Sequence, residues 1–468
     1  MYDLLLKGAH VVDPLNGVNG VNDVAVEGGK VAAVGPDLTG PVREVIDVSG
    51  WVLQPGIIDS HVHLGSMWGS PYGPRMLAMN GVTTCLDMAG PLDDILEKTP
   101  QYGAGLNTAI LQFASPPFTF KTNAPSKAEM VELIDKSLAE GALGVKLLGG
   151  HYPLTPEVSS TLIKTALERR AYVAWHAGTS AHGSNLEGMI EAVQMADGYP
   201  LHLAHINAYC RGAIKNEIDE ARTAIELLNA NPNIFSESYI SPKNGTRLTC
   251  GPDGKIQSKV TGNCLRHFGF TEDRDGVRKA LLAHKAFAVY DAGGYSDLMT
   301  GEDAVKLWES HNTDVGGSFN INPPIPRILL AQVKRPDGAF VVDAISTDGG
   351  CIPRNVILSQ GLSLVKLDVL TLTEFAQKTS LNPARMLRLT AKGHLSVGAD
   401  ADITIYDYAT QTPKMSFVEG RKVLFKGEVL GKNANIICTE RGQKAIEARG
   451  LKAIVVDPGL PVDHVKAL

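Results

Sequence analysis

Two histidines separated by one residue, His61 and His63, close an apolar run near the start of the chain. In a β-strand, side chains at positions i and i+2 project from the same face, so both imidazoles would point to one side of the strand. Neutral imidazole is the side chain that most often binds metal ions in proteins. The pair is compatible with ordinary strand packing, but it also has the spacing of a metal site.

Other metal-ligating residues recur at the ends of later apolar runs. His176, His205 and Asp348 each close such a run at the point where the chain must turn. Histidines buried only for packing would not all choose the same end of a strand. Imidazoles and a carboxylate that converge at one rim are costly to bury unless they bind a cation. Together with the HxH pair, these residues predict a metal centre.

Lys146 ends a further apolar run, in the sequence GVKLL. Burying an ammonium group is expensive, and a protonated amine would also repel nearby metal ions. Carbamylation by CO2 would convert the amine into an anion able to bridge two metals. A lysine that reaches solvent or pairs with an acid is the alternative.

The elements that would position these residues alternate along the middle of the chain. Apolar runs that predict strands are separated, in most cases, by amphipathic helical stretches; the runs are 56–63, 81–87, 107–113, 141–148, 171–176, 199–205, 233–238 and 339–348. This alternation is typical of an α/β fold with a parallel sheet. Eight such strands would close a TIM-like (β/α)8 barrel, whose active sites lie at the C-terminal ends of the strands.

β-rich segments flank this middle region. We expect residues 1–55 and 391–468 to form a small β-sandwich domain with a C-terminal tail, and residues 56–390 to form the barrel. Between the seventh and eighth strands, residues from about 241 to 338 break the βα rhythm. Because segments of this length are usually functional, we expect a lid that covers the barrel mouth and helps to set specificity.

Composition excludes several classes of partner. The net charge of −6 and the lack of long basic runs argue against nucleic-acid binding. No apolar run has the length of a membrane span, and the N-terminus lacks a signal-peptide pattern. The six cysteines are scattered without a CxxC pair, which is typical of reduced thiols in a cytoplasmic protein. A small-molecule substrate is the expected partner, and a homo-oligomer is left open.

Two longer motifs resemble those of the amidohydrolase superfamily. The segment QPGIIDSHVH at 54–63 is similar to that family's first barrel strand, and RMLRLTAKGHLSVGADADITIYD at 385–407 resembles its return to the β-sandwich. In the binuclear members, the HxH pair and an aspartate bind one metal, two later histidines bind the other, and a strand-four lysine carbamate bridges them. This implies those roles for His61, His63, Lys146, His176, His205 and Asp348.

Within the superfamily the resemblance points in two directions. The stretches GALGVKLLGGHYPLTPE, AWHAG and YPLHLAHIN resemble N-acyl-D-amino-acid deacylases. That family uses a bridging cysteine after the second strand, and Cys85 does not fall at its position. Lys146 instead makes the chain look like dihydroorotase, hydantoinase or isoaspartyl dipeptidase. Leu64 and Gly65 replace the arginine that follows HxH in dihydroorotases, which argues against dihydroorotate.

The resemblance implies hydrolysis of an amide-type C–N bond in an N-acyl amino acid, a dipeptide or a cyclic amide by metal-activated hydroxide. Asp348 would take the proton of the water and return it to the leaving nitrogen. Tyr152 could hydrogen-bond the oxyanion, Arg211 and Arg354 could grip a substrate carboxylate, and Tyr239 is a further candidate for substrate contact.

A deaminase of the same superfamily is the alternative function. Such enzymes generally use one metal and carry a HxxE motif after strand five, whereas His176 is followed by Ala177, Gly178 and Thr179. A scaffold protein without enzymatic activity is a third hypothesis. The presence of metal-ligating residues at all six positions argues against it. The expected cofactors are two divalent ions, zinc with manganese, cobalt or iron as alternatives, and carbamylated Lys146.

Overall fold

The computed structural model describes residues 1–462. Its strands are β1 (Tyr2–Asp13), β2 (Val18–Glu27), β3 (Lys30–Gly35), β4 (Val42–Asp47), β5 (Val52–Pro55), β6 (Ile57–His63), β7 (Val82–Asp87), β8 (Ala104–Ala114), β9 (Gly144–Leu148), β10 (Tyr172–His176), β11 (Leu201–Leu203), β12 (Ile234–Tyr239), β13 (Thr246–Arg247), β14 (Ala286–Asp291), β15 (Ser296–Met299), β16 (Gly316–Phe319), β17 (Ala344–Ser346), β18 (Gly349–Gly350), β19 (Ile403–Asp407), β20 (Thr412–Val418), β21 (Arg421–Phe425), β22 (Glu428–Val429), β23 (Asn433–Cys438) and β24 (Lys452–Val455).

Helices follow most of the barrel strands and also occur in the segment before β17. They are α1 (Gly73–Met79), α2 (Leu92–Tyr102), α3 (Lys127–Glu140), α4 (Pro156–Glu168), α5 (Leu186–Ala196), α6 (Glu217–Ala230), α7 (Lys259–His267), α8 (Arg274–Leu282), α9 (Glu302–Ser310), α10 (Pro324–Gln332), α11 (Ile357–Lys366), α12 (Leu372–Ala376), α13 (Asn382–Met386) and α14 (Gln443–Ala448). None of the helices within residues 1–462 combines the length and the hydropathy needed to cross a membrane.

The parallel strands β6 to β12 lie side by side in chain order. The eighth strand is split into two short pieces that join the ends of this sheet: β17 pairs with β12, and β18 pairs with β6. The split occurs at Asp348, which has a left-handed backbone (φ 52°) and donates its N–H to the carbonyl of His61 at 2.9 Å. The expected (β/α)8 barrel is therefore confirmed.

Both ends of the chain contribute to a second sheet. β5 pairs in parallel with β1 and antiparallel with β19, so the N-terminal strands and the strands β19 to β22 form one continuous sheet. Its core is made of alternating aliphatic side chains such as Leu6, Val24, Leu53 and Ile403. Because β5 leads directly into β6, this sheet is fixed to the start of the barrel strand that carries the HxH pair.

The end of the chain departs from the expectation that 391–468 belongs wholly with the small domain. β23 pairs in parallel with the first half of β8, a barrel strand, and β24 pairs with β23. Ile436 and Ile437 of β23 are fully buried there. The physical reason is that β8 extends beyond its pairing with β9, which leaves an open edge that the C-terminal strand covers.

The segment between β12 and β17 has its own core. β13 to β16 form a four-stranded sheet, and α7, α8 and α9 pack on it around Trp308 and Phe319. The expected insert extended to residue 338, but α10 packs against the barrel helix α6 and buries Leu330 in the barrel core. Helix α10 is therefore the barrel's own helix, and the extra domain ends before Pro324.

Lys392 lies in the motif that returns the chain to the second sheet, and its substitution is expected to have a large effect on stability. Its ammonium group is buried and lies 2.9 Å from Asp400 and 2.7 Å from Asp402. Removing one partner of a buried ion pair leaves an uncompensated charge, so we expect Lys392→Met to lower the free energy of unfolding by about 3–5 kcal/mol. Equilibrium urea unfolding measures the change.

Lys30 provides the matched control for this substitution. It binds the same Asp400 at 2.5 Å, but its side chain is half exposed. Exposed pairs contribute about 0–1 kcal/mol, so Lys30→Met is expected to change stability little. Equal losses in the two variants would contradict the interpretation of Lys392 as a buried electrostatic link.

Candidate metal centre

A cavity of about 860 Å³ opens at the C-terminal ends of the barrel strands. All six residues predicted to bind metal line it: His61, His63, Lys146, His176, His205 and Asp348. Residues of the extra domain, such as Asn244 and Cys264, line the same cavity. The segment expected to act as a lid therefore lies at the barrel mouth rather than at the opposite face.

His61, His63 and Asp348 form the tightest group. Their ligand atoms lie within 4.8 Å of one another, and Asp348 Oδ1 is 3.3 Å from His61 Nε2 and 2.8 Å from His63 Nε2. The left-handed backbone at Asp348 turns its side chain toward the end of β6. Two imidazoles and a carboxylate at this spacing are suited to a divalent transition metal.

His176 and His205 form a second group on the adjacent strands. His176 Nδ1 lies 2.9 Å from His205 Nε2. The other ring nitrogen of His176, Nε2, is 2.7 Å from the hydroxyl of Ser184. β11 ends at Leu203, and His205 follows with a left-handed backbone (φ 36°) that aims its ring into the cavity. The two rings present neighbouring nitrogens to one point, as a shared metal ion requires.

Lys146 lies in the middle of β9, lines the same cavity and is almost completely buried. Its Nζ is 3.1 Å from the Met88 sulfur, which is a poor partner for an ammonium group. Burial lowers the pKa of Lys146, while the negative charges of Glu237, Asp348 and Asp87 oppose the shift. The environment therefore favours the neutral amine more than bulk water does.

Glu237 is the functional residue that the sequence interpretation missed. It is fully buried on β12, where it accepts hydrogen bonds from His61 Nδ1 and from the backbone N–H of His205, both at 2.6 Å. Ser346 donates to its other oxygen at 2.5 Å. A carboxylate of this kind fixes the tautomer and orientation of a metal-binding imidazole. The available signal was the one used for Lys146, a charged residue inside an apolar strand.

The protonation states match metal binding. Burial lowers the pKa of His61 and of His176 well below the usual value, and it lowers the pKa of His205 to about 3. Burial alone would raise the pKa of Asp348, but the Arg354 guanidinium and the nearby imidazoles hold it well below its usual range. The imidazoles are therefore neutral and the carboxylate is ionised, which are the forms that bind metals.

Arg354 binds a partner that was not expected. It is buried, and its guanidinium donates to Asp348 Oδ2 at 2.6 Å, to the Asp348 carbonyl at 2.5 Å and to the Lys243 carbonyl at 3.1 Å. These contacts let the guanidinium orient Asp348, and Arg354 also lines the cavity, so a contact with a substrate carboxylate stays a prediction. A long side chain on a loop gives no sequence signal for such a partner.

Arg211 and Tyr239 line the cavity, as predicted for substrate contacts, and they bind each other. Arg211 donates to the Tyr239 hydroxyl at 2.8 Å and, through Nε, to Asn322 of the extra domain at 2.8 Å. Tyr152 differs from the expectation: its ring packs on Phe118, and the described residues that line the cavity include the preceding His151 but not Tyr152. The chain turn after β9 directs Tyr152 toward an apolar cluster.

Comparison with known proteins agrees with this architecture. Residues 363–430 match the family described as the amidohydrolase family. A dihydroorotase of Geobacter metallireducens is 25% identical over 86% of this chain and 90% of its own length. An allantoinase of Deinococcus radiodurans is 26% identical over 94% of this chain and 98% of its own length. The chain is thus similar to members of the amidohydrolase superfamily. The resemblance predicted from the motifs at 54–63 and 385–407 is thereby confirmed.

A solved structure has the same fold as this chain. The N-acyl-D-glutamate deacylase of Bordetella bronchiseptica, complexed with zinc and a phosphonate inhibitor, superposes with a TM-score of 0.66. It shares 15% sequence identity, and the match covers 93% of this chain and 99% of the deacylase. At this identity the likeness establishes the architecture, while the chemistry must be argued from the residues of the cavity.

Glu237 gives a testable consequence for this site. Glu237→Gln keeps the size of the side chain, but its amide oxygen is a weaker acceptor than a carboxylate for the bonds from His61 and His205. Replacing such a supporting carboxylate costs about 10–100-fold in metal affinity or activity, and we expect a loss of that size. Competition with a metal chelator measures the affinity without requiring a substrate.

Ser346→Ala serves as the comparison for this change. It removes the hydroxyl that donates to Oε2 of Glu237 but leaves the carboxylate and its bonds with His61 and His205, so its loss of metal affinity should be clearly smaller. If Glu237→Gln retained the affinity of the unmodified chain, Glu237 would have no part in orienting His61.

Proposed function

We propose that this chain hydrolyses an amide-type C–N bond in a small molecule with the help of two divalent metal ions. His61, His63 and Asp348 would hold one ion and His176 and His205 the other, with carbamylated Lys146 between them. The proposal applies to this chain the activity class named for its relatives. Zinc is the first candidate, with manganese, cobalt and iron as alternatives.

One observation carries the metal part of the proposal. His61 donates its Nδ1 proton to Glu237, so the neutral ring presents its Nε2 lone pair to the ionised Asp348 Oδ1 at 3.3 Å. Two buried acceptors that face each other are unfavourable unless a cation lies between them. At the second group, His176 Nδ1 and His205 Nε2 lie 2.9 Å apart and can both face one ion. The donor set therefore fits divalent ions.

The remaining steps belong to the side chains. When bound, divalent ions supply Lewis acidity that polarises a carbonyl and lowers the pKa of water. Asp348 would accept the proton of the attacking water on Oδ1 and deliver it to the leaving nitrogen. Arg354 holds Oδ2 of the same carboxylate, so only Oδ1 turns toward His61 and His63. Because Asn244 and Cys264 of the extra domain line the cavity, this domain would restrict the access of solvent water to the site.

A substrate panel with defined metal content tests the function. The chain is stripped of metal, reloaded separately with zinc, manganese, cobalt or iron, and assayed against N-acyl amino acids, dipeptides and cyclic amides. We expect hydrolysis of at least one class, proportional to bound metal, with two ions per chain at full activity. The stripped chain is the matched control.

The alternative superfamily activity gives a different result in the same assay. A deaminase would release ammonia from an amino-substituted ring and reach full activity with one ion. Metal binding with neither reaction in any loaded form, across a broad panel, would overturn the hydrolase proposal. Failure to bind any divalent ion would overturn the metal centre itself.

A further inference from the structure

The wall of the cavity has the opposite charge balance from the chain as a whole. Acidic residues outnumber lysines and arginines by 50 to 44 in the sequence. Among the described residues that line the cavity, however, Asp348 is the only acid, and Arg354 already binds it. Apart from Lys146, which the proposed function assigns to a carbamate, the basic residues of the wall are Arg211, Lys259, Arg266 and Arg354. A concave surface with this excess of positive charge attracts anions.

Arg211 is fixed in place without a carboxylate partner. Its Nε and one terminal nitrogen donate to Asn322 and Tyr239, which are both neutral and both buried. Asn322 is itself held, because its amide donates to the carbonyls of Ser241 and Lys243 at 3.1 Å. No acid within residues 1–462 forms an ion pair with Arg211. The remaining terminal nitrogen, Nη1, forms no hydrogen bond with the described residues and is available to a ligand in the cavity.

Helix α7 of the extra domain adds positive charge farther out. Lys259, Asn263 and Arg266 recur at helical spacing, so they share the face that lines the cavity, and all three are exposed. Arg266 binds Glu272 at 2.6 Å, whereas Lys259 has no ion-pair partner in the described part of the chain. Polar and cationic groups thus extend from Arg211 toward the solvent.

The cavity is also large for the small cyclic amides named for the relatives. Its volume of about 860 Å³ is near the upper end of the range of about 300–1,000 Å³ that holds drug-sized ligands. Two groups of cations, one beside the metal centre and one on α7, lie along this space. An extended substrate can contact both, whereas a single ring at the metal centre cannot.

We propose that Arg211 and the cavity face of α7 form an anion-binding subsite for the part of the substrate remote from the scissile bond. The inference rests on the proposed function, because it names the substrate class: an amide whose remote portion carries more than one negative group. Carboxylates and phosphates share the required chemistry. Arg211 binds the inner group, and Lys259 with Arg266 binds the outer one.

Binding of a fluorescent peptide tests this subsite without turnover. Dansyl-triglutamate and dansyl-triglutamine have the same length, so fluorescence anisotropy with the metal-loaded chain isolates the effect of charge. We expect the charged peptide to bind about tenfold more tightly, and the preference to shrink as salt is raised. Competition by a diphosphorylated sugar distinguishes a phosphate-bearing ligand from an oligocarboxylate.

The variants separate the two parts of the subsite. Arg211→Gln should weaken binding of the charged peptide by about 10–100-fold. Lys259→Gln, an exposed change that leaves folding intact, should weaken it by about two- to fivefold. Lys255→Gln is the control, because Lys255 is exposed on the same domain but does not line the cavity.

The outcomes are distinguishable from those of the hydrolase assay. Selective binding of the charged peptide or of the phosphate ester supports the subsite even if no amide is cleaved. Equal binding of the charged and neutral peptides, with no competition by the phosphate ester, overturns it. It is equally overturned if Lys255→Gln weakens binding as much as Lys259→Gln does, since a diffuse surface charge would then suffice.

Discussion

Asp348→Asn is expected to remove nearly all turnover while the chain keeps its fold. The carboxamide cannot accept the proton of the attacking water, and general acid–base catalysis contributes about 10²–10⁴-fold to kcat. The backbone contacts of Asp348 with His61 and Arg354 do not involve the side chain and should persist. Most of the bound metal should also remain, because two imidazoles still hold that ion. Steady-state kinetics on a substrate from the panel, together with metal analysis, measure both effects.

An exposed aspartate provides the control for this variant. Asp314 pairs with Arg247 on the surface of the extra domain and does not line the cavity. Asp314→Asn should therefore leave kcat unchanged. A kcat near that of the unmodified chain for Asp348→Asn, on a verified substrate, would show that another group carries the proton.

The positions of the candidate ligand side chains could be predicted because the βα period determines them. His63 and His176 end strands of the structure, and His61 and Lys146 lie just before the ends of theirs. Parallel strands of a barrel bring their C-terminal ends to one rim, so local patterns suffice to gather these residues. The strand pattern alone does not predict the direction of the His205 ring. This residue follows the end of β11, and its left-handed backbone directs the ring.

The features that could not be predicted from the sequence depend on the partners of long side chains and on pairing between strands far apart in the chain. Arg354 could reach a substrate or Asp348, and only the fold shows its contact with Asp348. Tyr152 follows β9 closely, yet the turn directs its ring away from the cavity. The pairing of β23 with β8 joins residues far apart in the chain, and no local pattern specifies such a partner. The four-stranded sheet before β17 has very short strands, which leave little periodicity to detect.

Lys146→Ala is expected to lose the metal pair and the activity together. This lysine lines the cavity of the candidate metal centre and is almost completely buried, with its Nζ 3.1 Å from the Met88 sulfur. Burial lowers the pKa of the amine, and the neutral amine is the form that reacts with CO2. The resulting carbamate offers two oxygens, enough to span metal ions about 3.5–4 Å apart. Metal analysis of the purified variant measures the loss directly.

Chemical rescue and a second buried lysine distinguish the carbamate from a structural role for Lys146. Acetate or propionate, added with metal, should fill the space left in Lys146→Ala and restore part of the activity. Lys378 is equally buried, and burial lowers its pKa to about 7, but it donates to the Val342 carbonyl and does not line the cavity. Lys378→Ala should therefore destabilise the fold without a loss of metal that carboxylic acids can repair. A crystal of the metal-loaded chain provides the decisive observation, because an ordered, unmodified Lys146 amine far from both ions would refute the bridge.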